Sequence, residues 1–264
     1  MRGPSLPDAP QLAASAAARA TDTAPYLTVQ LRHNLGVFRL NLEFALTQPW
    51  TILFGASGSG KTSILRAIAG LLHPDSAHIV SHSAGNSAIL TDTRTHIFIP
   101  AHKRGTPLAP QHSTLFPHLT VRENLNYARP LQSPGAHQDD SIARTFQLDP
   151  ILDKRPALLS GGEAQRVSLA RALMVPNARL LLLDEPFTGL DLPLRDALIA
   201  ALLGWQRTTG TPILSVTHDV AEAFQLNAEV LRLDTGRIVA QGHVTQVLAA
   251  ERTRLLNQLG RLTT

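Results

Sequence analysis

The sequence predicts an α/β fold with a mostly parallel core sheet, an antiparallel β segment near its start and an inserted helical segment. Three observations predict it. Residues 27–46 alternate apolar and polar; Ile52-Leu53-Phe54 and Leu180-Leu181-Leu182-Leu183 are continuous apolar runs; and residues from about 112 to 175 carry helix starts in place of strands. Continuous apolar strands are buried on both faces, as in parallel sheets covered by crossover helices. Alternation marks a sheet with one solvated face.

In order along the chain, the first 25 residues are rich in Ala and Pro (Pro4, Pro7, Pro10, Pro25). They are expected to form a disordered tail, leaving 26–264 as one domain. The tail lacks the continuous apolar stretch of a signal peptide. Leu27, Val29 and Leu31, then Phe38, Leu40, Leu42, Phe44 and Leu46, alternate with polar neighbours. Two half-buried antiparallel strands follow.

After the apolar run at Ile52 comes Gly55-Ala56-Ser57-Gly58-Ser59-Gly60-Lys61-Thr62, the G-x-x-x-x-G-K-[ST] pattern of a phosphate-binding loop. Backbone N–H groups can converge on a polyphosphate only where side chains do not block them, and glycine leaves them open. Ile64, Leu65, Ile68 and Leu71 continue at helical spacing, so the loop runs into a helix N-terminus with free N–H groups. Lys61 would reach the β- and γ-phosphates and the Thr62 hydroxyl would ligate Mg²⁺. Between Pro74 and Pro110 the signals are mixed. Short β-like runs occur at Ser87 to Leu90 and His96 to Ile99, and His73, His78 and His82 lack the supporting acids of a metal site.

Two capping boxes open helices further on: Thr120 with Glu123, and Ser160 with Glu163. The first leads Val121, Leu125 and Ala128 on one face, and a Pro- and Gly-containing linker, Pro130 to Gly135, follows. The second contains Gly161 and Gly162, each about 1 kcal/mol worse than alanine in a helix. Their presence makes sense where the helix start must approach an anion closely. The Leu180 run ends in Asp184 and Glu185. In open α/β sheets ligands bind beyond the carboxyl ends of the strands, which puts Asp184 in a Mg²⁺ shell and makes Glu185 a candidate base for water. Ile213 to Val216 forms another strand, ending at Thr217-His218-Asp219, with Asp219 and Glu222 as a further helix cap. His218 therefore belongs at the same edge. A hairpin turning at Asp234-Thr235-Gly236 and a terminal helix close the chain.

Composition bounds the partners. The chain has 264 residues, no cysteine and a formal charge of +4, carried by scattered arginines. Disulfides and thiolate metal sites are excluded, and no basic tract recommends nucleic acid. No apolar run reaches the ~18 residues of a membrane span.

Together, GASGSGKT, LSGGE at 159 to 163, LLLLDEP followed by TGLD, and SVTHD resemble the motif set of ABC transporter ATP-binding subunits. The resemblance covers roughly residues 26–250. It implies a P-loop NTPase ABC cassette with a mostly parallel core sheet, an antiparallel β subdomain and an α-helical subdomain over about 112–175. By matching position it implies Gly55 to Ser63 as Walker A, Gln111 as the Q-loop glutamine, a catalytic residue and a Mg²⁺ ligand with Thr62 and Asp184, and Ser160, Gly161 and Gly162 as the signature. Asp184 matches Walker B, Glu185 the catalytic base, Asp191 the D-loop and His218 the switch histidine. The cofactors implied are ATP and Mg²⁺. The run Leu115 to Leu125 and the tail Gly236 to Gly242 resemble bacterial importers, nearest to the molybdate type, without the accessory C-terminal domain of many such subunits.

The implied assembly is a head-to-tail homodimer with two ATP molecules between the copies, docked through the Gln111 to His118 surface on transmembrane permease subunits. A solute-binding protein acts with it indirectly, and the location is the cytoplasmic face of the cell membrane. Two departures stand out. Pro107 and Pro110 cannot donate to a sheet ladder where the family has an apolar strand before its glutamine, and only Phe38 and Leu35 are candidates to stack on adenine. The alternatives are a soluble ABC-type ATPase acting on nucleic acid or ribosomes, and a nucleotide-binding module without catalysis.

Overall fold

A computed structural model describes residues 24–36, 38–83, 86–127 and 136–260. All but the last two positions of the expected tail lie outside the described residues, as do Ala128 and the Pro130 to Gly135 linker. Strands β1 (Leu27–Leu35) and β2 (Phe38–Leu46) pair antiparallel, from Leu27 opposite Leu46 to Leu35 opposite Phe38. Their alternation gives the sheet one dry face. Leu27, Val29, Leu31, Leu40, Leu42, Phe44 and Leu46 are buried, and Gln30, Arg32, Asn41 and Glu43 face solvent. With β4 (Ser76–Ser83), β5 (Asn86–Asp92) and β6 (Ile97–Phe98) they form an antiparallel sheet in the order β2-β1-β4-β5-β6.

The second sheet contains β3 (Trp50–Phe54), β7 (Leu108–Ala109), β8 (Leu181–Asp184), β9 (Ile213–Thr217), β10 (Glu229–Asp234) and β11 (Arg237–His243). Its order is β11-β10-β3-β9-β8-β7, and every pair is parallel except the β10–β11 hairpin. Alternate side chains enter two different cores, which is why these strands read as continuous apolar runs. Leu53, Leu182, Leu214 and Leu231 meet the dry face of the antiparallel sheet, with Ile64, Leu65 and Ile68 of α1 (Lys61–Ala69) packed among them.

Ile52, Leu181, Leu183 and Val230 point the other way. That face is covered by α2 (Val121–Asn126), α3 (Ala136–Thr145), α4 (Gly161–Leu173), α5 (Leu192–Thr209) and α6 (Val220–Leu226). Val121, Leu125, Ile142, Phe146, Val167 and Leu169 share one cluster with Trp50 and Ile52, so this helical segment packs on the parallel sheet and builds no separate core. The chain continues through α7 (Val244–Val247) into α8 (Ala249–Gly260).

Two features go beyond the sequence reading. A strand does form between Pro107 and Pro110: β7 is two residues long and lies at the sheet edge, with Leu182 N donating to Pro107 O at 2.9 Å. Both prolines flank the pairing and neither is asked to donate, as an edge strand allows. Arg104 is 1% exposed and donates to Ala67 O and Ile68 O at the end of α1, to Ile99 O and to Thr91 Oγ1. Burial pulls its guanidinium down to about 10. The negative end of the α1 dipole offsets the charge, and the arginine ties α1 to the antiparallel sheet.

Candidate functional site

Phe54 lies opposite Thr217, and Asp184 opposite Val216, in the parallel register. The residues that follow each strand, Gly55, Glu185 and His218, therefore emerge along one edge. Gly58 and Gly60 take φ of 79° and 100°, values that favour glycine, and turn the chain into α1. Ala56, Ser57, Gly58 and Thr62 are exposed, Ser63 is half-buried, and Ser59 closes the loop through a 3.2 Å bond from its N to Ala56 O. No side chain caps α1, whereas α2, α4, α5 and α6 begin with Thr120, Ser160, Asp191 and Asp219 as caps. The first N–H groups of α1 are thus left to an outside acceptor.

Lys61 is 5% exposed, and its Nζ donates to Gly55 O and Ala56 O, both at 2.8 Å. Burial lowers its pKa despite the nearby Glu185 and Asp184 carboxylates. Asp184 is 3% exposed and shifts the opposite way, raised by burial and by Glu185 against a hydrogen bond from Thr62 and the attraction of Lys61. On both groups the loss of water outweighs the opposite charge nearby. A bound anion and cation would reverse that balance. The oxygens of Thr62 and Asp184, already in contact, suit a hard cation that takes few protein ligands and completes its shell with phosphates and water. No group of three or more His, Cys, Asp or Glu suited to a metal occurs among the described residues.

Glu185 takes φ of 47°, and its carboxylate receives three bonds. Gln111 Nε2 donates to Oε2 at 3.0 Å, Thr188 Oγ1 donates to the same oxygen at 3.3 Å, and His218 Nδ1 lies 3.0 Å from Oε1. Gln111 thus reaches the site despite its prolines, with its amide nitrogen directed at Glu185. Sequence reasoning missed Thr188; its position three residues after Glu185 was the signal. Asp191 caps α5 through a 2.9 Å bond from Leu194 N. The Phe38 ring packs beside Gly60, in reach of the loop, while Leu35 sits at the end of the β1–β2 hairpin.

Ser160 and Gly161 stand exposed at the start of α4. The predicted capping box is complete: Glu163 N donates to Ser160 Oγ at 3.3 Å and Ser160 N to Glu163 Oε2 at 2.7 Å. Gly162 faces Leu190, just before Asp191. No hydrogen bond or ion pair among the described residues joins Ser160, Gly161 or Gly162 to the phosphate loop. A groove of about 460 Å³ lies elsewhere, on the solvated face of the antiparallel sheet between Arg32, Glu43, His78 and Arg94, and contains none of these residues.

Comparison with known proteins gives the family. The family model "ABC transporter" matches residues 39–188. The chain is 38% identical over 229 residues to the molybdenum import ATP-binding protein ModC of Rhizobium johnstonii, covering 86% of this chain and 63% of that protein. It is also 38% identical over 230 residues to the molybdate/tungstate import ATP-binding protein WtpC of Archaeoglobus fulgidus, covering 86% of this chain and 90% of that one. A solved ATP-binding subunit of an ABC transporter superposes with a TM-score of 0.71 at 25% identity, over 90% of this chain and 100% of that one. This chain therefore belongs to the ABC transporter family, alongside the ModC and WtpC ATP-binding proteins.

Proposed function

We propose that the chain is the ATP-binding and hydrolysing subunit of an importer for a small oxyanion of the molybdate type, acting as a homodimer on membrane-spanning permease subunits. The observation that carries the reading is the convergence on Glu185: Gln111, Thr188 and His218 hold its carboxylate at the strand edge that also presents Lys61, Thr62 and Asp184. The loop Gly55 to Ser63 wraps the phosphates with N–H groups, and Lys61 exchanges its two loop carbonyls for β- and γ-phosphate oxygens. Thr62 and Asp184 would hold Mg²⁺, which when bound offsets charge on the phosphates. Glu185 orients water in line with the γ-phosphate and takes up its proton. His218 steadies both that carboxylate and the transferring group. Such catalysis is positioning and charge stabilisation in a site made before the reaction begins.

The second half of the site is Ser160, Gly161 and Gly162 of a partner copy, delivered to the γ-phosphate across the dimer with Asp191 beside them. The oxyanion reading rests on the likeness to ModC, a molybdenum import ATP-binding protein, and WtpC, a molybdate/tungstate import ATP-binding protein; other subunits would select the solute. We place the subunit on the cytoplasmic face, held by the permease through the Gln111 to His118 surface; no described helix is long and apolar enough to cross a membrane. Glu185→Gln should keep ATP binding and lose turnover by roughly 10² to 10⁴-fold, the usual worth of a general base. ATP binding and steady-state hydrolysis measured on the same preparation check this, and near-normal hydrolysis removes Glu185 from its role.

A further inference from the structure

Behind His218 lies a buried polar network that the reaction does not explain. Glu222, on the first turn of α6, is 5% exposed. Its Oε2 accepts from Thr217 Oγ1 at 3.0 Å, and its Oε1 has no hydrogen-bond partner. Thr217 Oγ1 in turn accepts from Asp219 N at 3.0 Å. Asp219 Oδ1 accepts from Ala221 N at 2.7 Å and Glu222 N at 3.2 Å, while its Oδ2 meets Arg195 Nη1 of α5 at 3.4 Å. Both chain neighbours of His218 are therefore fixed by one network, and the exposed imidazole is left facing Glu185.

An exposed acid would favour the N-terminus of α6 equally well. Burying the carboxyl with one oxygen unpartnered costs stability, since a desolvated polar group is expensive unless bonded. A cost of this kind beside a reactive group points to a role in placing it. Resting on the reading of His218 given above, we propose that Glu222 is a positioning residue for His218, acting through the Thr217 hydroxyl to fix the junction between β9 and α6. Burial pushes the Glu222 carboxyl up to about 7; Thr217 and Arg195 oppose that shift, while Asp219 and Glu185 add to it. A neutral carboxyl still accepts the Thr217 bond through its carbonyl oxygen, so a glutamine can replace it.

The test measures kcat and KM for ATP on the full chain carrying His218→Ala, Glu222→Leu, Glu222→Gln or Thr217→Val. Glu222→Leu and Thr217→Val should each lower kcat by about tenfold to a hundredfold, the scale of a misplaced catalytic group, with KM within about twofold of the parent. Glu222→Gln should stay within about threefold, and the Leu/Val double variant should be no worse than the poorer single, as members of one chain of contacts are not additive. Thr217→Val carries the test alone if Glu222→Leu does not fold. If His218→Ala loses turnover while Thr217→Val and Glu222→Leu keep theirs, or if Glu222→Gln falls as far as Glu222→Leu, the positioning role is overturned and the reading of His218 survives. If His218→Ala turns over normally, both fall.

Discussion

The chain starts two helices with glycine at places expected to meet phosphate, and it builds them in opposite ways. At the head of α1, Gly60 is left-handed, no side chain caps the helix, and Lys61 is folded back onto Gly55 O and Ala56 O. At the head of α4, Ser160 and Glu163 satisfy each other's backbone N–H groups and the helix start stands in solvent. The first is an open loop held together by its own lysine and fastened into the core by Leu40 and Phe38. The second is finished as a helix cap and, among the described residues, shares no hydrogen bond or ion pair with the first. A helix start with open N–H groups is incomplete without a ligand. A self-capped end in solvent is complete alone, and its glycines gain a purpose only when another surface arrives.

Glycine substitutions at the two ends should therefore differ in sign. A Cβ at Gly60 would lie 2.5 Å from Leu40 Cδ2 at a φ of 100°. Leu40 is 1% exposed and cannot yield. Gly60→Ala should destabilise the protein by about 2 kcal/mol, read as a lower urea midpoint, and should abolish nucleotide binding. A Cβ at Gly161 would meet nothing within 4 Å. Gly161→Ala should raise stability by up to about 1 kcal/mol, since alanine is the better helix former, and still lower turnover, because in the proposed dimer the methyl group intrudes where the partner's phosphate approaches. A variant both more stable and fully active would deny this end any role beyond capping.

A smaller effect sharpens the contrast through pH. Burial raises the Asp184 carboxyl, so the unfolded chain releases that proton first as pH rises, and stability falls across the window between the ordinary aspartate value and the raised one. Glu163 is lowered, chiefly by the bond from Ser160 N. Here the unfolded chain takes up the proton first as pH falls, so the cap is lost below the ordinary glutamate range. Asp184→Asn should flatten the first slope and Glu163→Gln the second, in thermal unfolding followed against pH.

Much of this was legible in the sequence where local rules and packing agree. The alternation in β1 and β2, the apolar runs of β3 and β8, and both capping boxes appear as expected, because each is specified within a few residues. What was missed depends on contacts distant in sequence. Prolines on either side of Leu108 argue against a strand unless the strand is known to lie at an edge. The Asp219 and Glu222 spacing reads as a helix cap. Asp219 does cap, but Glu222 turns inward to Thr217, and spacing cannot distinguish a carboxylate that reaches its backbone from one buried beneath it. The meeting of Gln111, Thr188 and His218 on Glu185 depends on strand order, which no single motif encodes.

Whether one site is shared by two copies is tested directly by complementation. Lys61→Ala disables the phosphate loop of its own copy, and Ser160→Arg disables what that copy offers its partner. Each variant alone should form dimers without a working site. Mixed in equal amounts, they should regain ATP hydrolysis, because a dimer with one copy of each carries one intact loop facing one intact helix start. Ser160→Arg hydrolysing ATP at the parent rate on its own, or a mixture no more active than its parts, would contradict it.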